Sequence, residues 1–216
     1  APLLMEGLRR LEYRGYDSAG IATLRDGSIE RRRSEGKISN LESRLDAHPV
    51  KGNIGIGHTR WATHGGVSTE NAHPHVASGR VAIVHNGIIE NHRTVRARLE
   101  AAGHQFSSDT DSEVLAHLFV EAFDAGLDPA TATRQVLDEI DGAYAFAVMA
   151  IDHPDLLIVA RNASPLALGI GDNACYIGSD ATALSHLTRK VVYLKDHDYA
   201  LVRADCVLVY QADGTK

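Results

Sequence analysis

The sequence predicts an α+β fold with helices outside and mainly antiparallel sheets inside. Two patterns lead to this prediction: short apolar runs follow one another with tight turns between them, and amphipathic helical segments come in adjacent pairs. Strict alternation of one strand with one helix would instead favour a parallel, doubly wound sheet. The chain has 216 residues, which is enough to bury one core, and we expect a single domain over 1–216.

The first elements are predicted to be a helix and a hairpin. Residues 1–15 place Pro2 at a first helical position and repeat leucine along one helical face. Residues 18–33 hold an Asp-Gly pair between two strand-like runs, which is typical of a tight β-hairpin. The basic run at 31–33 is interpreted as a solvated strand edge.

One helix and two strands are predicted next. Apolar spacing indicates a short amphipathic helix at 37–48, and alternation of apolar and small residues indicates a strand at 52–61. Residues 79–87 form an apolar run that predicts a buried strand, and the Asn86-Gly87 pair at its end predicts a turn.

Three consecutive helices follow. Residues 90–103 have helical spacing and end in glycine, which commonly follows a helix. Residues 110–126 begin with Thr110 and Glu113 at the spacing of a capping box, and residues 129–141 form a third helical segment. Consecutive helices of this kind favour a helical layer over single crossover connections.

The rest of the chain is predicted to be short strands joined by turns. These strands are expected at 142–152, 155–161, 165–171, 174–180, 190–195, 199–204 and 206–211. Cys175 and Cys206 lie in two of these runs, and we expect both to be buried thiols and not nucleophiles. Two cysteines do not make a disulfide framework, so the reducing cytoplasm is the expected compartment.

The composition disfavours several classes of protein. Hydrophobic residues make up 44% of the chain and charged residues 23%, which is typical of soluble globular proteins. No apolar run approaches the length of a membrane span and no signal peptide opens the sequence, so we expect no membrane partner. The net charge of −6 argues against a nucleic-acid-binding surface.

The stretch from 58 to 75 is rich in histidine, and one interpretation is a metal site. His73 and His75 could be zinc ligands, with His58 or His64 as a third. The stretch has no HExxH helix and no neighbouring cysteine, which are the patterns that known zinc sites use. We therefore expect no metal.

The other interpretation of this stretch is a loop that binds a carboxylate. Arg60 follows a predicted strand, where its planar guanidinium can donate two parallel hydrogen bonds to a carboxylate. Thr63 and His64 can donate to the same oxygens, and Trp61 would supply an apolar wall. These groups suit the α-carboxylate of an amino acid, although a surface ion pair is the alternative for Arg60 alone.

Two further groups fit acyl transfer to or from an amino acid. The Asn86 side-chain amide beside the Gly87 N–H can form an oxyanion hole, unless the pair is only a hairpin turn. Asp109 and Asp111 stand at a predicted helix start, where they can cap the helix, or one of them can bind an α-ammonium group.

Five motifs occur in this order and at fitting intervals: RRLEYRGYDSAGIA, GHTRWATHG, NAHPH, VHNGIIEN and SDTDSE. Together they resemble the glutaminase domains of glucosamine-6-phosphate synthases, the isomerising glutamine–fructose-6-phosphate aminotransferases. The resemblance covers essentially the whole chain. It implies the class II amidotransferase fold of the N-terminal-nucleophile (Ntn) hydrolases, which is a four-layer αββα sandwich of mainly antiparallel sheets.

The resemblance implies a substrate-binding role for five residues. Arg60, Thr63 and His64 would hold the α-carboxylate of L-glutamine or L-glutamate. Asp111 would hold the α-ammonium group, with help from the Gly87 backbone.

The resemblance also implies catalytic roles. Asn86 and the Gly87 N–H would form the oxyanion hole, and Arg14 and Gly15 would border and orient the nucleophile. Trp61 resembles the indole that gates the passage of ammonia to a second domain. No metal or organic cofactor is implied.

The beginning of the sequence departs from the family pattern. The family nucleophile is the thiol of an N-terminal cysteine, whose own α-amine, with a pKa of about 8, is the base. Here the first residue is Ala1, and neither Cys175 nor Cys206 matches the nucleophile by motif. We expect the domain to lack its extreme N-terminal segment, and the sugar-phosphate isomerase domains of the parent chain to be absent.

The resulting prediction is a glutaminase that hydrolyses L-glutamine through a Cys thioester. Its ammonia would serve the conversion of fructose 6-phosphate to glucosamine 6-phosphate in a full-length enzyme that is expected to be a homodimer. The alternative is a nucleophile-less module that binds glutamine or glutamate and regulates a partner.

Overall fold

The computed structural model arranges the chain in four layers, with two layers of sheet between two layers of helix. The structure describes residues 1–211 and 215, and the side chain of Arg14 lies outside that description. The helices are α1 (Pro2–Leu11), α2 (Ile38–Ala47), α3 (His92–Ala101), α4 (Glu113–Asp124), α5 (Pro129–Glu139) and α6 (Ala181–Leu184), with a 3₁₀ turn at Glu12–Arg14. The strands are β1 (Ser18–Arg25), β2 (Ser28–Glu35), β3 (Ile54–Arg60), β4 (His75–Ala77), β5 (Val81–Ile89), β6 (Gly142–Ala150), β7 (His153–Asn162), β8 (Ala167–Ile170), β9 (Cys175–Gly178), β10 (Lys190–Tyr193), β11 (Tyr199–Val202) and β12 (Val207–Tyr210).

One six-stranded sheet forms the centre of the structure, in the order β12-β11-β7-β6-β5-β4. Two three-stranded sheets, β2-β1-β3 and β10-β8-β9, pack against one of its faces. Neighbouring strands in all three sheets are antiparallel. The predicted α+β class with antiparallel sheets is confirmed.

The two faces of the central sheet have different partners. Because side chains of a strand alternate between faces, Phe146 and Val148 of β6 pack with α3, α4 and α5, while Ala147 and Met149 pack with the small sheets. On the outside of the first small sheet, Leu8 of α1 packs in one apolar cluster with residues of β1 and α2. This alternation produces the four layers.

The early elements match the sequence predictions. α1 begins with Pro2 in the first turn, and β1 and β2 form the predicted hairpin. Asp26 and Gly27 both have positive φ, at 49° and 72°, as a type I′ turn requires. α2, β3, α3 and α5 also lie where they were predicted.

The prediction of a solvated basic edge was wrong in part. β2 is indeed an edge strand. However, Arg31 donates to the carbonyl of Pro74 at 3.1 Å, and Arg33 donates to the carbonyls of Glu70 and Ala72 at 2.8 Å each. Burial lowers the pKa of Arg33 to about 10. Alternate arginines of β2 therefore hold the loop before β4 and are only partly exposed to water.

The predicted turn at Asn86-Gly87 was also wrong. β5 continues through both residues to Ile89, and Gly87 is paired with Tyr144 of β6. Gly87 has a φ of 126°, and a Cβ atom there would lie 2.0 Å from the carbonyl oxygen of Ala143. The glycine thus allows two strands to approach closely instead of making a turn.

The predicted capping box of α4 is absent. The helix begins at Glu113 with Ser112 as its N-cap, and the Ser112 side chain makes no capping hydrogen bond. The Glu113 carboxylate instead accepts from the backbone N–H groups of Ser107 and Ser108, at 2.9 and 2.7 Å. Burial would raise the pKa of Glu113, but hydrogen bonds from His117, Ser108 and Ser107 outweigh it and hold the pKa well below its usual value.

The prediction of buried cysteines was wrong. Cys206 is exposed just before β12 and Cys175 is half-buried at the start of β9, and both are free thiols. Cys206 stands in the turn closed by the hydrogen bond from Arg203 N–H to its carbonyl, which explains its exposure. Among the described residues, no helix is both long and apolar enough to cross a membrane.

The buried carboxylate of Glu113 gives a testable prediction about stability. Glu113→Gln should lower the free energy of unfolding by about 2 kcal/mol at pH 7, because an amide NH₂ would face backbone donors. The depressed pKa of Glu113 stabilises the fold above its unfolded value of about 4.3, and this stabilisation is lost as pH falls. The difference between wild type and variant, measured by urea denaturation, should therefore shrink below about pH 4.

The matched control is Glu100→Gln, whose carboxylate is half-exposed in an ion pair with Arg96. It should change the free energy of unfolding by less than about 0.5 kcal/mol. A constant difference for Glu113→Gln from pH 7 to pH 3 would contradict this account.

Candidate functional site

A cavity of about 470 Å³ lies between β3 and β9 and reaches the surface at the end of β3. This volume falls within the range of about 300–1,000 Å³ that is usual for small-molecule sites. One end of the cavity is polar, and it brings together seven residues predicted from the sequence: Arg60, Trp61, Thr63, His64, Asn86, Gly87 and Asp111. The other end is apolar and is lined by side chains of α1, β6 and the loop before β8.

Arg60 ends β3 and is only 4% exposed. Its guanidinium donates to the carbonyl of Gly66 at 3.1 Å, to that of Gly65 at 3.4 Å and to that of His64. These bonds close the loop after β3 around the guanidinium. A guanidinium has five N–H groups, so the loop does not use all of its donors.

The charge of Arg60 is compensated within the site. Burial lowers the pKa of Arg60, and the carboxylates of Asp17 and Asp111 act in the opposite direction. The polar end therefore holds a buried cation and a buried anion that interact with each other. Such a pair of fixed opposite charges can recognise a zwitterion.

Asp111 lies in the turn before α4 and is 3% exposed. Its Oδ2 accepts from the Ile89 N–H at 2.8 Å, which ties this turn to the end of β5. Asp111 is not the N-cap of α4, which is Ser112, and its Oδ2 is bonded to β5 and not to the helix. Asp109, the other candidate, is exposed, and it does not line the cavity.

Asn86 and Gly87 lie side by side on β5 at the polar end of the cavity. The Oδ1 atom of Asn86 is 2.9 Å from Nε2 of His58 on β3. This contact joins the central sheet to the first small sheet at the site. Because Gly87 has a positive φ and no Cβ atom, β5 can pass close to Ala143 and reach this position.

Asp17 is a positioning residue whose role the sequence did not indicate. Its Oδ2 accepts from the Ala62 N–H at 2.7 Å, and its own N–H donates to the Arg60 carbonyl at 3.1 Å. Gly15, predicted from the resemblance, does not line the cavity. A Cβ atom on Gly15 would lie 2.8 Å from the backbone of Thr59 and Arg60, so Gly15 allows this close approach.

Three other predicted residues lie at the rim or wall of the cavity. Trp61 is 59% exposed, and its ring centroid is 5.5 Å from that of Tyr16. Thr63 is exposed, and His64 is half-buried with its ring edge-on to that of His92. Trp61 is therefore an exposed aromatic residue at the rim and not a buried apolar wall.

The side chain of Arg14 lies outside the described part of the structure.

The other histidines of the stretch form a buried row. The ring centroids of His58 and His73, and of His73 and His75, are each 4.4 Å apart. Burial lowers the pKa of His58 to about 4 and that of His75 to about 3, and it lowers the pKa of His73 well below its usual value. These rings are neutral near pH 7. Within the described residues, no three His, Cys, Asp or Glu side chains are arranged to hold a metal ion.

The apolar part of the cavity is a slot between two edge strands. β3 and β9 stand at the edges of their sheets, and consecutive residues 55–60 and 175–179 line the two sides of the cavity. Edge strands present unpaired backbone groups that can bind a further strand. Cys175 lines this part, and burial raises the pKa of its thiol, which is the opposite of nucleophile activation.

Comparison with known proteins gives relatives over the whole chain. A family model described as a glutamine amidotransferase domain matches residues 58–186, which is more than half of the chain. The glutamine–fructose-6-phosphate aminotransferase (isomerizing) of Mesorhizobium japonicum is 53% identical over 100% of this chain and 35% of its own length. The enzyme of the same name from Zymomonas mobilis is 52% identical over 97% of this chain and 34% of its own length. The chain thus spans about a third of these curated relatives.

Solved structures show the same architecture. The glutamine phosphoribosylpyrophosphate amidotransferase of B. subtilis matches with a TM-score of 0.80 and 26% identity, over 98% of this chain and 46% of that one. An allosteric regulatory enzyme of purine biosynthesis matches with a TM-score of 0.81 and 28% identity, over the same shares. The predicted αββα sandwich of the Ntn hydrolases is confirmed, and the chain belongs to the family of glutamine amidotransferase domains.

Proposed function

We propose that the chain is the glutaminase domain of a glutamine–fructose-6-phosphate aminotransferase and hydrolyses L-glutamine to L-glutamate and ammonia. The observation that carries the proposal is the polar end of the cavity, which combines the Arg60 cation, the Asp111 carboxylate and the Asn86 amide. The names of the relatives point to the same substrate.

The two charges account for recognition of the amino-acid part of glutamine. The free N–H groups of Arg60, with Thr63 and His64, bind the α-carboxylate, and Asp111 binds the α-ammonium group beside the Gly87 backbone. Both charged side chains are fixed by hydrogen bonds to backbone, Arg60 to the loop after β3 and Asp111 to β5. Preorganised charges of this kind lower the cost of binding.

The nucleophile in this proposal is the thiol of a cysteine that begins a strand preceding Ala1 in the parent chain. The slot between β3 and β9 supports this placement. Leu4 of α1 lies against Gly55 and Leu8 against Gly57, so α1 starts beside the early part of β3. A strand leading directly into α1 would run antiparallel to β3 and would begin near Arg60, at the polar end.

The proposed reaction needs only groups of the protein and water. The α-amine of the cysteine takes the thiol proton, and the thiolate attacks the amide carbon of glutamine. Asn86 Nδ2 and the Gly87 N–H stabilise the oxyanion, ammonia leaves with the proton, and water hydrolyses the thioester. In the same proposal, Arg14 and Gly15 border the nucleophile.

Ammonia then passes Trp61 to the isomerase domains of the parent enzyme. There it serves the conversion of fructose 6-phosphate to glucosamine 6-phosphate. In this proposal the parent enzyme is a cytoplasmic homodimer.

Substitution of Asp111 tests substrate recognition in the parent enzyme. Asp111→Asn keeps an oxygen for the Ile89 N–H but removes the charge that pairs with the α-ammonium group. The KM for glutamine should rise about 10–100-fold with kcat changed less than about threefold, because the interaction is made equally in the ground and transition states.

Asp109→Asn is the matched control, since Asp109 is exposed and does not line the cavity. Its kinetic constants should equal those of the wild type. An unchanged KM for Asp111→Asn would refute the assignment of Asp111.

Substitution of Asn86 tests the oxyanion hole. Asn86→Ala should lower kcat for glutamine hydrolysis by about 10²–10³ with KM changed less than about threefold, because the amide acts on charge that develops only in the transition state. The exposed residue Asn53 offers the control Asn53→Ala. A higher KM with unchanged kcat for Asn86→Ala would assign Asn86 to substrate binding instead.

Measurements of glutamate binding, ammonia release and zinc content separate the alternative functions. A parent enzyme that begins with cysteine and binds glutamate but releases no ammonia from glutamine would favour the regulatory binding module. Stoichiometric zinc that is lost on substitution of His64, His73 or His75 would favour the metal site and would refute the glutamine pocket.

A further inference from the structure

We propose that His58 is the positioning residue that sets the orientation of the Asn86 amide, and so decides whether a donor or an acceptor faces the reacting carbonyl. The inference rests on the proposed glutaminase function and adds a residue to it. Its basis is the hydrogen bond between His58 Nε2 and Asn86 Oδ1, at 2.9 Å, which joins β3 to β5 across the two sheets.

The tautomer of His58 follows from the surroundings of its two ring nitrogens. Nδ1 is buried and has no hydrogen-bond partner among the described residues. A buried N–H without a partner is rarer than an acceptor without one. The proton of the neutral ring therefore lies on Nε2, where it has an acceptor in Asn86.

The protonation state of His58 agrees with this assignment. Burial lowers its pKa to about 4, and hydrogen bonding to the Asn86 side chain and the His85 backbone acts in the opposite direction, so the ring is neutral near pH 7. The charged or titratable groups around it are Arg60 on its own strand, His85 on β5 and His73 in the loop before β4. His73 packs on the ring at 4.4 Å and thereby restricts its rotation.

The orientation of Asn86 follows from the tautomer of His58. An amide oxygen only accepts and an amide nitrogen only donates, so the Nε2–H of His58 selects Oδ1 as its partner. The Nδ2 group of Asn86 then lies at the opposite end of the amide, where it remains available to donate in the cavity that Asn86 lines. A reversed amide would present an oxygen to the developing oxyanion and would raise the barrier.

The test uses the full-length parent enzyme and a double-mutant cycle. His58→Leu removes the donor at similar bulk and should lower kcat for glutamine about 10–100-fold with KM changed less than about threefold. His58→Gln, whose Nε2 can donate from a similar position, should restore kcat to within about tenfold of the wild type. In an Asn86→Ala background, His58→Leu should lower kcat less than about twofold further, because His58 acts through Asn86.

Several outcomes would overturn the proposal. A full additional loss of kcat in the Asn86→Ala background would show that His58 acts independently of Asn86. His58→Gln that is as slow as His58→Leu would exclude a donor role. The exposed His48 provides the control His48→Leu, which should leave kcat unchanged.

A measurement on the unmodified enzyme covers the case in which His58→Leu does not fold. Long-range ¹H–¹⁵N correlation of the histidine rings should show His58 protonated on Nε2 alone at pH 7, and protonation on Nδ1 would overturn the proposal. The wild-type parent could release no ammonia from glutamine while His58 is still protonated on Nε2. That result would refute the proposed glutaminase function but not the hydrogen bond from His58 to Asn86.

Discussion

The site exists because two small sheets, and not one wide sheet, cover one face of the central sheet. The edges of β3 and β9 stand apart over the small side chains Ala145 and Ala147 of β6, which leaves a cavity open along both edges. The end of β3 carries Arg60 into this gap, and β5 carries Asn86 and Gly87 to the same place from the central sheet. The chemistry of the site is therefore a consequence of how the layers are spaced.

The charged groups at the polar end of the cavity are held in place by hydrogen bonds to backbone. Arg60 donates to carbonyls of its own loop and Asp111 accepts from a backbone N–H of β5, while the half-buried Asp17, outside the cavity lining, accepts from the Ala62 N–H. Arg31 and Arg33 of β2 hold the loop that carries His73, and the His73 ring packs on His58. Buried charges without such partners would be costly, so these contacts let a charged site persist inside the fold.

Much of the fold was predictable from the sequence, because the spacing of apolar residues and the identity of turn residues indicate local structure directly. The hairpin at Asp26-Gly27 and the seven late strands followed from these signals. The errors arose where tertiary contacts override local preference. Asn86-Gly87 has the form of a hairpin turn, yet pairing with β6 extends the strand through it. Glu113 has capping-box spacing, yet its carboxylate accepts hydrogen bonds from the loop before it.

For the candidate site, the sequence predicted most of the residues but not the contacts that position them. Seven residues named from the motifs lie around one cavity, whereas Gly15 and Asp109 do not line it. The contact between His58 and Asn86 depends on the distance between two sheets, and the role of Asp17 depends on the pairing of β1 with β3, and no spacing in the sequence encodes either. The short strand β4 and the helix α6 were not predicted, since three or four residues carry too little periodicity.

The most direct test of the central claim is covalent labelling of the parent enzyme with a glutamine analogue that carries an electrophilic carbon in place of the amide. Peptide mass spectrometry should find one adduct per chain, on a cysteine that precedes Ala1, and excess L-glutamate should prevent it. An adduct on Cys175 or Cys206, or no adduct at all, would contradict the proposal that an upstream strand brings the nucleophile to the polar end of this cavity.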